Sequence, residues 1–407
     1  MRDFGTVSLS KTNMVNQRSE NHPGDAVGKG RTAGVSGGVE KPGDATTRIL
    51  SVCETAQGGV GRYQDLLESL VPFGFSLSVL LPESDKGILR DATRAITFAR
   101  NRRGPVAMWN LVRAFWRQKR LLRPELYFFH STFSLLPLTL LRLSGDRTPA
   151  VYCAHCWAAN TLQTDGWKSR IIRFVEGNLC GLADLVVNVS ASDADTAQRF
   201  AYRGRHVIVE NAVDPPEPEA RADRFETPGS SRVNLLFVGR FDHQKGLDLL
   251  LPAYDLARSS NSDLRLHIVG APVRGSELPV FGEGVTYHGW VGPGEIDSYY
   301  RSADALVVPS RWEGLPLVVP EAYRNGTPVI VARRSGMHEL VDEGRTGWSF
   351  PLEIEALADL LSRVGREDLA KMRPLAEETY RERFSRGRFA EEMAENLRAL
   401  LGGKRAG

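Results

Sequence analysis

From residue 48 onward, short apolar runs alternate with longer amphipathic stretches. RILSVCE, FSLSVLL, ELYFFH, PAVYCAH, DLVVNVS and HVIVEN are apolar at successive positions, so both faces of the strands they predict need covering. Stretches at 62–70, 169–179 and 193–200 have helical apolar spacing between them. A second set repeats the pattern with NLLFVGR, LRLHIVG, VTYHGWV, DALVVPS, TPVIVA and GWSFP, with helices expected at 247–258, 295–301, 317–324, 338–342 and 354–361. Doubly covered strands alternating with helices predict parallel sheets. The expected fold class is α/β: two facing Rossmann-like, doubly wound domains with a cleft between them and ligands at the carboxyl ends of the strands.

The ends and the middle break this rhythm. No aromatic residue lies between Phe4 and Tyr63, and 21–44 is crowded with Gly, Asp and Lys, so residues 1–46 are read as a disordered extension. The first domain is expected over 47–214, a Pro-rich and charged linker over 215–232, and the second domain over 233–385. Residues 386–407 are read as a helix, with helical apolar spacing, that packs back on the first domain, and a tail.

Bulk composition narrows the class without naming it. A chain of 407 residues favours two domains, and 42% hydrophobic with 25% charged residues is ordinary for a globular protein. A net charge of +3 is too small to imply nucleic acid, but its distribution is uneven: 86–123 holds eleven Lys and Arg against one acid, Asp91. Phe98, Met108, Trp109, Phe115 and Trp116 are interleaved with those cations, which suits an amphipathic helix on anionic lipid; the rival reading is a solvated basic face over a core face. Four cysteines are too few for a disulfide scaffold and favour a reducing compartment. With no run of membrane-spanning length and no secretory-type start, the protein is expected to be cytoplasmic, with peripheral contact on the inner face of the cell membrane.

The chemistry concentrates in two motifs. GRFDHQKG follows the strand NLLFVGR, where Gly239 permits a tight exit and Lys245–Gly246 opens the next helix, so Arg240 and Lys245 can meet an anion there. SRWEGLPLVVPEA follows the strand DALVVPS: Glu313 and Gly314 fall in the loop, and Glu321 falls in an apolar run where an unpaired carboxylate is costly and needs a partner such as ribose hydroxyls. Two cations for a diphosphate and two carboxylates for hydroxyls together suit a sugar carried on a nucleotide. Elsewhere, AQGGVGRY lacks the third glycine of a dinucleotide fingerprint, since Gln64 stands there. Cys153 and Cys156 flank His155 as C-A-H-C with no second pair, and read as core thiols. Asp193 and Asp195 spell D-x-D at an apparent helix start, where Ser192 or Asp193 is a natural cap.

On GRFDHQKG, the Glu313–Glu321 element, SGMHELVDEGRTGW, NAVD at 211–214 and AQGGVGRY, the chain resembles the family 4 retaining glycosyltransferases of GT-B fold over about 48–401, most strongly over 233–350. The resemblance implies that Arg240 and Lys245 hold the donor diphosphate, Glu313 meets the transferred sugar, Glu321 binds the ribose, and His155 lies near the sugar. The catalytic set expected is Glu313, Arg240, Lys245 and His155. The donor-binding set is Glu321, Gly314, Leu315, Gly59, Gly239 and Asn211. Acceptor or membrane contacts are expected from Arg102, Arg103, Trp109, Arg113, Trp116 and Arg117, with no metal and no cofactor. The function expected is retaining transfer of a hexosyl unit from a nucleoside-diphosphate sugar to an acceptor hydroxyl, on a lipid-linked or growing polysaccharide or glycolipid acceptor in envelope or exopolysaccharide synthesis. The alternatives are a GT-B sugar-nucleotide epimerase or phosphorylase, and a non-catalytic scaffold that binds nucleotide sugar or lipid.

Overall fold

Seven parallel strands form the first sheet, in the order β3-β2-β1-β4-β5-β6-β7. They are β1 (Thr47–Cys53), β2 (Phe75–Pro82), β3 (Ala95–Phe98), β4 (Leu126–His130), β5 (Ala150–Cys153), β6 (Leu185–Asn188) and β7 (His206–Ile208). A second parallel sheet has the order β10-β9-β8-β11-β12-β13. Its strands are β8 (Val233–Val238), β9 (Leu264–Val269), β10 (Val285–Gly289), β11 (Ala305–Val308), β12 (Val329–Ala332) and β13 (Gly347–Phe350). The computed structural model from which this architecture is taken describes residues 46–100, 102–161, 166–225, 231–273 and 277–405; the expected N-terminal extension lies, through residue 45, outside the described residues.

In each sheet the first strand is central and the order reverses beside it, so a crevice opens between β1 and β4 and another between β8 and β11. The helices are α1 (Gly59–Leu66), α2 (Pro105–Leu122), α3 (Leu135–Leu143), α4 (Ala158–Thr161), α5 (Trp167–Leu179) and α6 (Ala191–Arg199) in the first half. The second half adds α7 (Leu247–Ser260), α8 (Ile296–Ser302), α9 (Val318–Tyr323), α10 (Ile354–Arg363), α11 (Arg366–Thr379) and α12 (Arg386–Arg405).

Strand β1 shows why continuous apolar runs were needed. Ile49 and Cys53 face one hydrophobic layer while Leu50 and Val52 face the other, because alternate side chains leave opposite faces. The layer with Leu50 is closed by Leu111 and Phe115 of α2 and by Leu135, Leu138 and Leu141 of α3. The layer with Ile49 includes Tyr63 of α1 and Phe389, Met393 and Leu397 of α12. Helix α12 therefore lies against the first sheet's layer, where Phe389 meets the Tyr63 ring edge-on at 5.5 Å and Arg398 donates to the Phe73 carbonyl at 3.0 Å.

The structure differs from the reading of the sequence in several segments: the helix expected at 338–342 is a 3-10 turn over Met337–Leu340, and α11 was not expected. β3 was not anticipated: AITF is four residues long, at a sheet edge, inside a run of arginines. The described part of the expected linker is laid along the second domain. Glu217 N donates to Asp297 at 2.9 Å, Arg221 N and Arg224 N donate to Ser298 and Ser302 at 3.0 Å each, and Phe225 stacks on His267. Residues 226–230 of that stretch lie outside the described residues.

Candidate functional site

The connection from β8 to α7 positions Arg240 and Lys245. Gly246 caps α7 with φ of 71°, and a Cβ there would sit 2.1 Å from the Pro309 carbonyl oxygen, so only glycine lets the turn pass under the end of β11. Asp242 Oδ1 accepts from Lys245 N at 3.1 Å and sets the turn. Lys245 Nζ then reaches Glu313 Oε1 at 2.6 Å, and Gln244 Nε2 holds the Trp312 carbonyl at 3.0 Å and Glu313 Oε2 at 3.3 Å. Lys245 and Glu313 are both largely buried, whereas Arg240 is half exposed and pairs with Asp242 at 3.0 Å. The first motif and the first glutamate of the second thus meet at the crevice of the second sheet.

Glu321 follows a different course. Tyr300 of α8 donates to its Oε2 at 2.9 Å, and Arg62 of α1 donates to its Oε1 at 2.5 Å from the other domain. Both oxygens of this buried carboxylate are held by protein groups, so its burial does not by itself demand a ligand hydroxyl. Arg62 is a residue to which the sequence assigned no role, although it stands inside AQGGVGRY. The Arg62 guanidinium is shifted up, chiefly by the Glu321 carboxylate.

The first domain meets this site through the loops after β1 and β5. His155 has φ of 64°, a conformation unusual for a non-glycine residue, and its carbonyl lies where a Cβ on Gly314 would be, at 1.9 Å. Gly59 comes up to Leu317 across the same cleft, a Cβ there being 3.9 Å from its methyl group. His155 Nε2 is 2.9 Å from Nδ1 of His130 at the end of β4, and the edge of Tyr63 packs on both rings. Burial pushes His155 down to about 3, and burial with the neighbouring imidazole pushes His130 well below its usual value, so both rings are neutral at pH 7. Nε2 of His130 has no hydrogen-bond partner among the described residues. His130 was legible as the polar end of an apolar strand, yet nothing local marked it as a neighbour of His155.

The segment carrying His155 is anchored from below by two buried acids. Glu176 accepts from Thr132 Oγ1 at 2.7 Å and from Ala158 N at 3.0 Å; burial raises it to about 7. Asp193 accepts from Asn160 at 3.3 Å, its backbone oxygen accepts from Trp157 Nε1 at 2.8 Å, and burial likewise raises it to about 7. The α6 cap is Ser190, whose hydroxyl accepts from Asp193 N, and not Ser192 or Asp193: the extended residue that turns into the helix comes earlier. Asp193 is buried while Asp195 is exposed. Cys53, Cys153 and Cys180 are buried free thiols, and Cys156 is a partly buried one.

The remaining expected residues fall in three groups. Gly239 lies against the Lys245 stem, a Cβ there being 3.5 Å from it, and Leu315 is buried beside Gly314. Asn211 is buried, its N–H on the Val189 carbonyl at 3.4 Å and its side-chain oxygen without a partner among the described residues. The basic stretch divides. Glu54 takes Arg100 at 2.7 Å and Arg103 through two bonds of 3.2 Å, Arg90 pairs with Asp214 at 2.6 Å, Arg94 with Glu68, and Lys119 with Asp146 at 2.6 Å. Arg103 is thus tied to a buried carboxylate, while Arg102, Arg113, Arg117 and Arg120 are exposed. Phe98 and Phe115 are core, Trp116 is partly buried, and Trp109 protrudes. Among the described residues no helix is long and apolar enough to cross a membrane.

Residues 57–217 match the family model described as Glycosyltransferase Family 4, and residues 232–366 match the one described as Glycosyl transferases group 1. A 41.2 kDa protein of the cps region of Klebsiella pneumoniae is 27% identical over 310 residues, 74% of this chain and 84% of that protein. The D-inositol 3-phosphate glycosyltransferase of Arthrobacter sp. (strain FB24) is 32% identical over 232 residues; the match spans 52% of this chain and 54% of that enzyme, about half its length. In three dimensions, sucrose-phosphate synthase from Thermosynechococcus elongatus superposes with a TM-score of 0.76 at 20% identity, covering 88% of this chain and 100% of that one. Anabaena HepE in complex with UDP and glucose gives 0.71 at 18% identity over 87% and 100%. At these identities the superpositions show a shared fold.

Proposed function

The chain belongs to the family 4 glycosyltransferases of GT-B fold, and from that premise we propose that it moves a hexosyl unit from a nucleoside-diphosphate sugar to an acceptor hydroxyl with retention of configuration. The observation that carries this reading is the Lys245–Glu313 pair of 2.6 Å at the crevice of the second sheet, facing the His155 loop of the first domain through Gly314. Complexes of Anabaena HepE with UDP and UDP-glucose favour a donor of this class.

In the proposed reaction Arg240 and Lys245 hold the diphosphate, and Glu313 moves from Lys245 to the sugar hydroxyls. Charge grows on the diphosphate as its bond to the anomeric carbon breaks, so fixed cations stabilise the transition state more than the ground state. The acceptor oxygen bonds to that carbon on the face the diphosphate leaves, and its proton passes to a phosphate oxygen. With two side-chain cations in place the scheme calls for no metal ion. Glu321, kept oriented by Tyr300, takes the ribose, with Arg62 sharing or yielding its place. The acceptor is a lipid-linked saccharide or growing polysaccharide, and the exposed face of α2 with Trp109, Arg113 and Arg117 meets an anionic membrane.

Lys245→Ala and Arg240→Ala are each expected to lower turnover of the donor sugar by roughly 10²–10³-fold; the thermal midpoint is kept in Arg240→Ala and falls in Lys245→Ala, which leaves the buried Glu313 carboxylate without its cation. Near wild-type turnover in both would sink the proposal. Incubation with donor alone separates the rival chemistry, since an epimerase alters the sugar without any acceptor.

A further inference from the structure

The outward face of α5 is built the wrong way round for a helix on a soluble domain. Such helices turn apolar residues inward and polar ones to water. Here Trp167 is 69% exposed, Ile171 51% and Phe174 71%, with Val175 also open, while Ser169 and Glu176 are buried. At about 100° per residue, Trp167, Ile171 and Phe174 fall within an arc of about 60°. Arg170 flanks that arc on one side and Lys168 on the other, and both are exposed. The one acid among the described residues of α5, Glu176, points into the protein onto Thr132 and Ala158. A stripe of two aromatic rings and an isoleucine between two cations is thus presented to solvent on a helix about 20 Å long.

Neighbouring helices also carry exposed apolar side chains. Helix α3 lies between α2 and α5 and touches both, and all three belong to the first domain. Leu143 at the end of α3 is 78% exposed, as is Trp109 of α2 at 67%. Helix α5 packs on α4, which follows His155 in the chain, and its Glu176 accepts from Ala158 N at 3.0 Å, so α5 is tied to the segment that borders the cleft.

We propose that α5 is an interfacial insertion helix, which seats the first domain on an anionic lipid surface by burying Trp167, Ile171 and Phe174 among the acyl chains while Lys168 and Arg170 reach the headgroups. The chemistry selects lipid over a protein partner: an apolar centre flanked on both sides by cations matches a flat layer with negative headgroups all around an inserted ring. This rests on the reading that the first domain meets a membrane, and adds a second contact that α2 does not supply. A lipid-linked acceptor would then enter the cleft from the layer on which α5 rests.

Flotation of the full-length protein with phosphatidylcholine vesicles, with and without phosphatidylglycerol, tests it. The wild type is expected to float with the anionic vesicles, and I171S/F174S to lose roughly tenfold in bound fraction with α2 intact. K168A/R170A is expected to lose the preference for phosphatidylglycerol, and neither variant should lower the thermal midpoint, since neither removes a core contact. Flotation of I171S/F174S equal to wild type overturns the proposal, as does a wild-type dimer in solution that this variant converts to monomer. If W109S/R113A abolishes flotation while I171S/F174S floats like wild type, α5 is excluded and the α2 contact stands. Thermal shift by UDP in the same samples reports separately on the donor site, so loss of membrane binding with UDP binding kept leaves the transferase reading untouched.

Discussion

Glu176 shows how single residues in this site carry opposite costs. Its carboxyl is buried beneath the His155 segment and raised to about 7 from an ordinary value of 4.5, mainly by desolvation. Because the folded state holds this proton longer than the unfolded chain, the stability present below about pH 4.5 is lost as pH rises toward 7. Glu176→Gln mimics the protonated form, and is expected to be more stable than wild type by about 2–3 kcal/mol at pH 8, with the gain gone at pH 4. Denaturant midpoints at the two pH values check this; an equal effect at both would assign the change to packing. His155 acts with the opposite sign. Its folded value of about 3 lies below the ordinary 6.5, so its neutral burial costs stability as pH falls through that interval. At this scale the motif residues were legible because their types are chemically demanding: Lys245 and Glu313 are brought into contact. Their partners were not legible. Nothing in LPLVVPEA indicates that Glu321 is held by Tyr300 and by Arg62.

At the scale of elements, hydrophobic pattern served well where strands are covered on both faces. It served poorly at margins: β3 is short and at an edge, and α11 buries only Leu369, Met372 and Ala376 on an otherwise polar helix interrupted by Pro374. The β8–α7 turn is the element on which the cation pair depends. Gly246→Ala forces a Cβ against the Pro309 carbonyl in a left-handed conformation, and is expected to cost roughly 2 kcal/mol or more and to displace Lys245. A thermal midpoint unchanged from wild type would contradict that geometry. The α2 stretch teaches the converse lesson. Eleven cations spread over 86–123 suggest one surface, but Arg90, Arg94, Arg100, Arg103 and Lys119 find acids brought by other elements. A smaller set, Arg102, Arg113, Arg117 and Arg120 among them, lies exposed.

For the whole molecule, the two domains close on each other at glycines. Gly314 lies under the His155 carbonyl, where a methyl group would need the cleft to open. Gly314→Ala is therefore expected to lower kcat/KM by roughly tenfold or more with little change in thermal midpoint, because the contact lies between cores and not within one. Unimpaired turnover would show that the closed contact is not used in the reaction. The sequence alone determined the two doubly wound sheets, since a strand covered on both faces must be apolar throughout and only helices on each side can cover it. It also determined the chemical types at the ends of β8 and β11. Only the tertiary structure decided which charges remain available, that Arg62 crosses 259 residues of sequence to Glu321, and that α5 turns its aromatic stripe outward. Those outcomes depend on distances between elements, which the folding of the whole chain sets and no local pattern encodes.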